Sequence, residues 1–115
     1  MNSSTEYLKI QDIIKESRSA YKGNGTIDIV FMSKDCLCSL KQLEVKDVPK
    51  VITSETDFET LWGAKIITTE AINEKYKFVW ANQYELEQLL SDPKFEVDEN
   101  FKRFIPDFKS YLASH

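Results

Sequence analysis

The chain has 115 residues, of which 42% are hydrophobic and 30% charged, and its formal net charge is −4 at pH 7. This composition excludes the intrinsically disordered class, and the chain lacks the run of roughly eighteen apolar residues that predicts a membrane span. Since the N-terminus also lacks the pattern of a signal peptide, the sequence predicts a cytoplasmic protein. The length favours a single domain over residues 1–115.

The first half of the sequence predicts a helix followed by two strands. Apolar residues over 7–21 recur at helical spacing, and Gly23 and Gly25 end that helix. Residues 26–32, TIDIVFM, alternate in the manner of a strand and are rich in β-branched and aromatic side chains. A second strand is expected over residues 36–45.

The middle of the sequence predicts a short helix and a hairpin. Thr56 and Glu59 have the spacing of a capping box, so residues 56–62 are expected to form a helix that ends at Gly63. Residues 65–72 and 76–81 are expected to be the two strands of a β-hairpin, because side chains of the second strand alternate between its two faces.

Two helices are predicted at the C-terminal end. Asn82 can cap a helix whose third helical position is Glu85, and a final helix is expected from about Asp98. Pro106 lies within that final pattern and predicts a kink or a restart there. Strands that are grouped between helices indicate an α+β fold, with a small antiparallel sheet packed against several helices.

The residue inventory argues against an enzyme. His115, at the very end, is the only histidine, although neutral-pH acid–base chemistry commonly uses this residue. The three glycines match neither of the glycine-rich loops that hold nucleotide phosphates. The sequence therefore predicts no catalytic residue, no metal ligand and no cofactor.

Cys36 and Cys38 form the one local motif with chemical content. On a strand, two cysteines at this spacing project from the same side and could share a soft metal ion or act as a redox pair. A closed zinc site needs about four ligands, so packing in or near the core is the preferred interpretation. A small-ligand or metal-binding domain that uses this pair, or the concave face of the sheet, remains an alternative.

The charge is unevenly distributed along the chain. Residues 1–50 contain eight basic and seven acidic side chains, whereas residues 51–115 contain seven basic and twelve acidic ones. Such an acidic half repels nucleic acid and attracts a basic protein, whose association it accelerates by electrostatic steering. The predicted partner-binding residues are Glu55, Asp57, Glu59, Glu85, Glu87, Asp92, Glu96, Asp98 and Glu99.

A small acidic domain without a catalytic constellation, with the acidic run from Glu85 to Glu99 beside aromatic side chains, resembles the immunity proteins that bacteria make against nuclease toxins. The resemblance implies a one-to-one complex in which acidic groups occlude the basic active site of the toxin. The charge distribution and the lack of a long apolar run predict neither a nucleic-acid nor a membrane partner. A structural adaptor subunit is a further alternative, for which an exposed apolar patch is expected.

Overall fold

The structure is a computed structural model that describes residues 3–21, 25–42, 52–54, 59–92 and 102–114. Its helices are α1 (Ser3–Ser19), α2 (Lys34–Lys41), α3 (Gln83–Ser91) and α4 (Ile105–Ser114). Its strands are β1 (Ile29–Met32), β2 (Ile52–Ser54), β3 (Glu59–Leu61), β4 (Ala64–Thr68) and β5 (Val79–Ala81). Within these ranges, no helix combines the length and the apolar character that crossing a membrane requires.

The five strands form one sheet in the order β2-β3-β4-β1-β5. Strand β1 pairs in parallel with β4 and antiparallel with β5. The pairs β2–β3 and β3–β4 are antiparallel. The predicted α+β class is confirmed, but the sheet is mixed and not purely antiparallel, because β1 enters it between β4 and β5.

Strand β1 lies inside the sheet, between β4 and β5, and its side chains are apolar on both faces. Val30 and Met32 pack into a cluster with buried residues of α1 and α2, whereas Ile29 and Phe31 pack into a second cluster with residues of α3 and α4. All four side chains of β1 are fully buried. Helices cover both faces of the sheet at β1.

Residues 34–41 form helix α2, and the strand predicted over 36–45 is wrong in this part. Ser33 caps the helix, since its hydroxyl accepts a hydrogen bond from the backbone N–H of Cys36 at 3.0 Å. The buried residues Cys36 and Leu40 are four positions apart, the spacing of one helix face. Residues 43–50 lie outside the described residues.

The helix predicted over residues 56–62 is also wrong where the structure describes it, because residues 59–61 form β3. Trp62 and Gly63 make the two-residue turn into β4, and both have positive φ angles, of 51° and 84°. Positive φ at both central positions is characteristic of a type I′ hairpin turn. Gly63 therefore serves the β3–β4 hairpin and does not end a helix.

The predicted hairpin between residues 65–72 and 76–81 is wrong in its pairing. Both segments contain strands, β4 and β5, but each pairs with β1 and they do not pair with each other. Alternation of side chains indicates a strand without indicating its neighbour. β4 and β5 do not pair with each other because β1 lies between them and forms backbone hydrogen bonds with one of them along each of its edges.

The C-terminal helices agree with the sequence. Asn82 caps α3, and its Oδ1 accepts a hydrogen bond from the N–H of Glu85 at 3.1 Å. Helix α4 begins at Ile105, so Pro106 lies in the first turn, where no backbone donor is needed. The expected restart at Pro106 is confirmed, whereas the predicted start near Asp98 lies outside the described residues.

Alanine substitutions at two glycines are expected to have different effects on stability. Gly25 and Gly63 have φ of +98° and +84°, but an added Cβ would lie 2.9 Å from Asn82 Nδ2 at Gly25 and would meet nothing within 4 Å at Gly63. We expect Gly63→Ala to lower the free energy of unfolding by about 1–2 kcal/mol through backbone strain alone. Gly25→Ala should lower the free energy of unfolding by more, because the added Cβ also meets Asn82. Urea denaturation measures the free energy of unfolding of both variants. Equal losses would contradict the role of the Asn82 contact.

Candidate functional site

The structure describes four of the nine acidic residues that were predicted to bind a partner. Glu59 is on β3, Glu85 and Glu87 are on α3, and Asp92 is the C-cap residue of α3. The other predicted residues lie outside the described part of the chain: Glu55, Asp57, Glu96, Asp98 and Glu99.

Glu59 has a structural contact and lies apart from the others. Its carboxylate forms an ion pair with Lys41, with 2.8 Å between Oε2 and Nζ, and this pair joins β3 to α2. Hydrogen bonding to Glu59 raises the pKa of the Lys41 amine. In the sheet, β4 and β1 separate β3 from β5, the strand that leads into α3. The structure therefore does not place Glu59 with the acidic residues of α3.

Helix α3 turns an apolar face to the core and a polar face outward. Leu86 and Leu89 are buried, whereas Tyr84, Glu87 and Ser91 are exposed at positions i, i+3 and i+7, on one side of the helix. The Tyr84 side chain is 65% exposed. We call the surface formed by Tyr84, Glu87, Ser91 and Asp92 the acidic α3 face.

The charges of α3 are only partly explained by helix stability. Residues 83–92 contain three carboxylates and no basic side chain. Glu85 lies in the first turn, where negative charge is favourable beside the free backbone N–H groups. Asp92 lies at the opposite end, where the helix dipole favours basic residues. The helix dipole therefore does not account for a carboxylate at position 92.

A cleft of about 740 Å³ opens at a different place, where β1 and β4 end. Ser33 follows β1 directly and Thr69 follows β4 directly, and because these strands are parallel, their carboxyl ends meet at one edge of the sheet. Ligands of open α/β sheets commonly bind at such edges. The residues lining the cleft include Ser33, Lys34, Thr69, Glu70, Arg103 and Asp107.

Hydrogen bonds fix the wall of the cleft between β4 and α4. The buried hydroxyl group of Thr69 donates to Asp107 Oδ2 at 2.7 Å and accepts from the N–H of Ala71 at 3.0 Å. Arg103 donates to the carbonyl of Ala71 at 3.4 Å. The start of α4 is therefore held against the residues that follow β4. Sequence reasoning missed this cleft, although polar residues directly after two apolar strands were a signal for it.

Comparison with known proteins gives no functional assignment. No protein-family model, curated protein or solved structure matches this chain. The acidic α3 face and the cleft are therefore interpreted from their own residues and geometry.

The cysteine pair does not form a shared site. Cys36 and Cys38 are on helix α2 and not on a strand, so their side chains diverge by about 200° around the helix axis. Cys36 is buried and Cys38 is exposed. In the described part of the chain, no group of three or more His, Cys, Asp or Glu residues could hold a metal ion. The expectation that both thiols project from one side is wrong.

The two thiols are expected to differ in reactivity. Burial raises the pKa of the Cys36 thiol to about 12, although the nearby charge of Lys75 acts in the opposite direction. Since the thiolate is the reactive form, iodoacetamide at pH 8 should label Cys38 in the folded protein and leave Cys36 unlabelled. Mass spectrometry should show one label on the native protein and two after denaturation. Native labelling of Cys38→Ser would contradict this assignment.

The free energy of unfolding is expected to fall at alkaline pH. The buried Tyr21 hydroxyl has no hydrogen-bond partner among the described residues. Burial, followed by the charges of Glu85 and Asp28, raises the pKa of Tyr21 from 10.0 to about 12. The folded state therefore retains a proton that the unfolded chain loses, so this stabilisation is complete below pH 10 and is lost as pH rises toward 12.

Urea denaturation between pH 8 and pH 12 measures this loss, and Tyr21→Phe is the control. The variant lacks the titrating hydroxyl, so its stability should decline less steeply over that range. Parallel curves for the wild type and Tyr21→Phe would show that the titration of Tyr21 is not coupled to folding.

Proposed function

We propose that the protein is a small acidic binding protein that inhibits a basic protein partner through the acidic α3 face. The observation that supports this most directly is the exposure of Tyr84 beside Glu87. Tyrosine is enriched among the residues that dominate interface energies, and it orders few rotatable bonds on binding. An exposed aromatic side chain with a charged neighbour matches an interface anchor and its rim.

The chemistry of the face selects a basic partner. The acidic α3 face holds two carboxylates, Glu87 and Asp92, and residues 83–92 contain no basic side chain, so a surface rich in lysine and arginine is attracted and a nucleic acid is repelled. Like-charge contact with an acidic protein is unfavourable for the same reason. Charge complementarity therefore both accelerates association with a basic partner and disfavours nucleic acids and acidic proteins.

Helix α3 is also suited to present a rigid surface. Leu86 and Leu89 fix it to the core, and Asn82 fixes its first turn. A partner that binds this helix orders few additional groups, and such preorganisation reduces the entropic cost of association. Because the packed helix already holds Tyr84 and Glu87 in place, its rigidity favours a tight complex.

The partner that fits this chemistry best is a nuclease toxin, and the protein is then its cytoplasmic immunity protein. An enzyme that cleaves nucleic acid needs a basic cleft for the phosphate backbone. An acidic helix can occupy that cleft or its margin and exclude the substrate. No catalytic group of the inhibitor takes part in such a mechanism.

Charge reversal tests the face, with a matched control on the other side of the sheet. Glu87 and Asp12 are both exposed acidic residues on helices, but α1, which carries Asp12, packs against the opposite sheet face from α3. Glu87→Lys and Asp12→Lys change the net charge equally. Wild type, both variants and Tyr84→Ala are immobilised and exposed to lysate of the native host at low and moderate salt.

We expect one basic protein to be retained by the wild type and by Asp12→Lys. Glu87→Lys and Tyr84→Ala should bind it at least about tenfold more weakly, since interface anchors commonly contribute more than 1.4 kcal/mol. The retained protein, once purified, should cleave DNA or RNA, and an equimolar amount of wild type should stop that cleavage. Equal retention by Glu87→Lys and Asp12→Lys, or binding without inhibition, would overturn the proposal.

A further inference from the structure

The cleft at the carboxyl ends of β1 and β4 is separate from the acidic α3 face, since no α3 residue belongs to its described lining. Its volume of about 740 Å³ lies in the usual range for small-molecule sites, roughly 300–1,000 Å³. Three segments enclose it: the start of α2, the residues after β4 and the start of α4. We propose that this cleft binds a small phosphorylated sugar.

Two basic side chains from separate segments supply the binding site for the phosphate group. Lys34 stands at the start of α2, and Arg103 precedes α4. Arginine is suited to paired hydrogen bonds with phosphate oxygens, and lysine acts as a compact charge beside them. The two residues belong to different walls of the cleft.

The remaining polar lining suits sugar hydroxyl groups. Asp35 and Glu70 provide carboxylate acceptors, and Thr68 and Asn73 provide groups that both donate and accept hydrogen bonds. A hydroxyl group donates to a carboxylate, whereas a phosphate group is repelled by it. The mixture of two basic residues with neutral and acidic polar residues therefore fits a ligand with one anionic end and a hydroxyl-bearing body.

The wall that carries Arg103 is held in place before any ligand binds. Thr69 is 4% exposed, and its hydroxyl is bonded both to Asp107 and to the backbone of Ala71. The bond from Thr69 engages one oxygen of the Asp107 carboxylate. Arg103 itself reaches across to Ala71. Such hydrogen-bonded support is what a precise binding site requires.

Ribose 5-phosphate is the probe for this site, and ribose and inorganic phosphate are the comparison ligands. Binding is measured by isothermal calorimetry and by amide chemical shifts of ¹⁵N-labelled protein. The variants are Lys34→Gln and Arg103→Gln, with Lys15→Gln on the exposed side of α1 as a charge-matched control outside the cleft. Amide spectra of the unliganded variants establish that each one is folded.

We expect saturable binding of ribose 5-phosphate with shifts at residues 33–35 and 68–73. Each cleft variant should weaken it by about tenfold or more, as expected for loss of a charge-assisted contact, and Lys15→Gln should leave it unchanged. Ribose and inorganic phosphate should each bind more weakly than the combined molecule. Absence of saturable binding, equal binding by Arg103→Gln and wild type, or phosphate binding as tight as that of the sugar phosphate would overturn the proposal.

Discussion

Replacing Phe31 by alanine is expected to lower the free energy of unfolding by about 3–5 kcal/mol. Phe31 is fully buried in β1, which lies between β4 and β5. Its ring stacks on Phe104, with 4.8 Å between ring centroids and 17° between the planes. Truncation removes this contact and leaves a cavity between the sheet and the residues that lead into α4, which cannot collapse without moving β1.

Chemical denaturation of the variant measures this loss, and Phe31→Leu provides the comparison. Leucine retains most of the apolar volume and loses the ring stacking, so the expected loss is smaller, about 1–2 kcal/mol. Similar losses for both substitutions would indicate that the stacking, and not the buried volume, dominates. A loss below about 1 kcal/mol for Phe31→Ala would contradict the central position of this side chain.

Replacing Asn82 by alanine is expected to lower the free energy of unfolding by about 2–3 kcal/mol, because one side chain makes two hydrogen bonds of different kinds. Its Oδ1 caps α3 through the N–H of Glu85, and its Nδ2 donates to the carbonyl of Thr26 at 2.6 Å. Asn82 is 7% exposed, so water has little access to replace either bond.

Asn82→Ser separates the two contributions. Serine retains the capping oxygen and is too short to reach Thr26, so this variant should lose about half as much stability as Asn82→Ala. Thermal and urea unfolding measure the difference. If Asn82→Ser is as unstable as Asn82→Ala, the bond to Thr26 is the dominant one, and if it matches the wild type, that bond is negligible.

Local signals in the sequence were enough to predict some elements. Strand β1 and helix α3 were predicted because an alternating apolar run and an Asn82-to-Glu85 cap each act within a few residues. Helix α2 was missed because Cys36, Cys38 and Leu40 also alternate at a spacing of two. In the folded protein, the cap formed by Ser33 and the burial of Leu40 decide in favour of the helix.

Of the two candidate sites, the acidic α3 face depends on residues close in sequence, whereas the cleft depends on contacts between distant segments. The acidic residues at α3 were identified from their proximity in sequence, and the structure places Glu87 at an exposed position of the helix and Asp92, also exposed, at its C-cap. The cleft depends on the parallel pairing of β1 with β4, in which Ile29 lies beside Lys65. No pattern within either strand specifies that partner, so its lining could not be predicted.

The position of β1 between two strands that come later in the chain has a consequence for biosynthesis. Its neighbours are residues 65–68 on one side and 79–81 on the other, all of which are synthesised long after β1 itself. Until Ala81 has left the ribosome, β1, the most apolar strand of the sheet, lacks one or both of its neighbouring strands. Non-local pairing of this kind slows folding and leaves a nascent chain exposed to aggregation. Pairing of β1 on both sides is therefore a late event in co-translational folding, which requires residues 79–81.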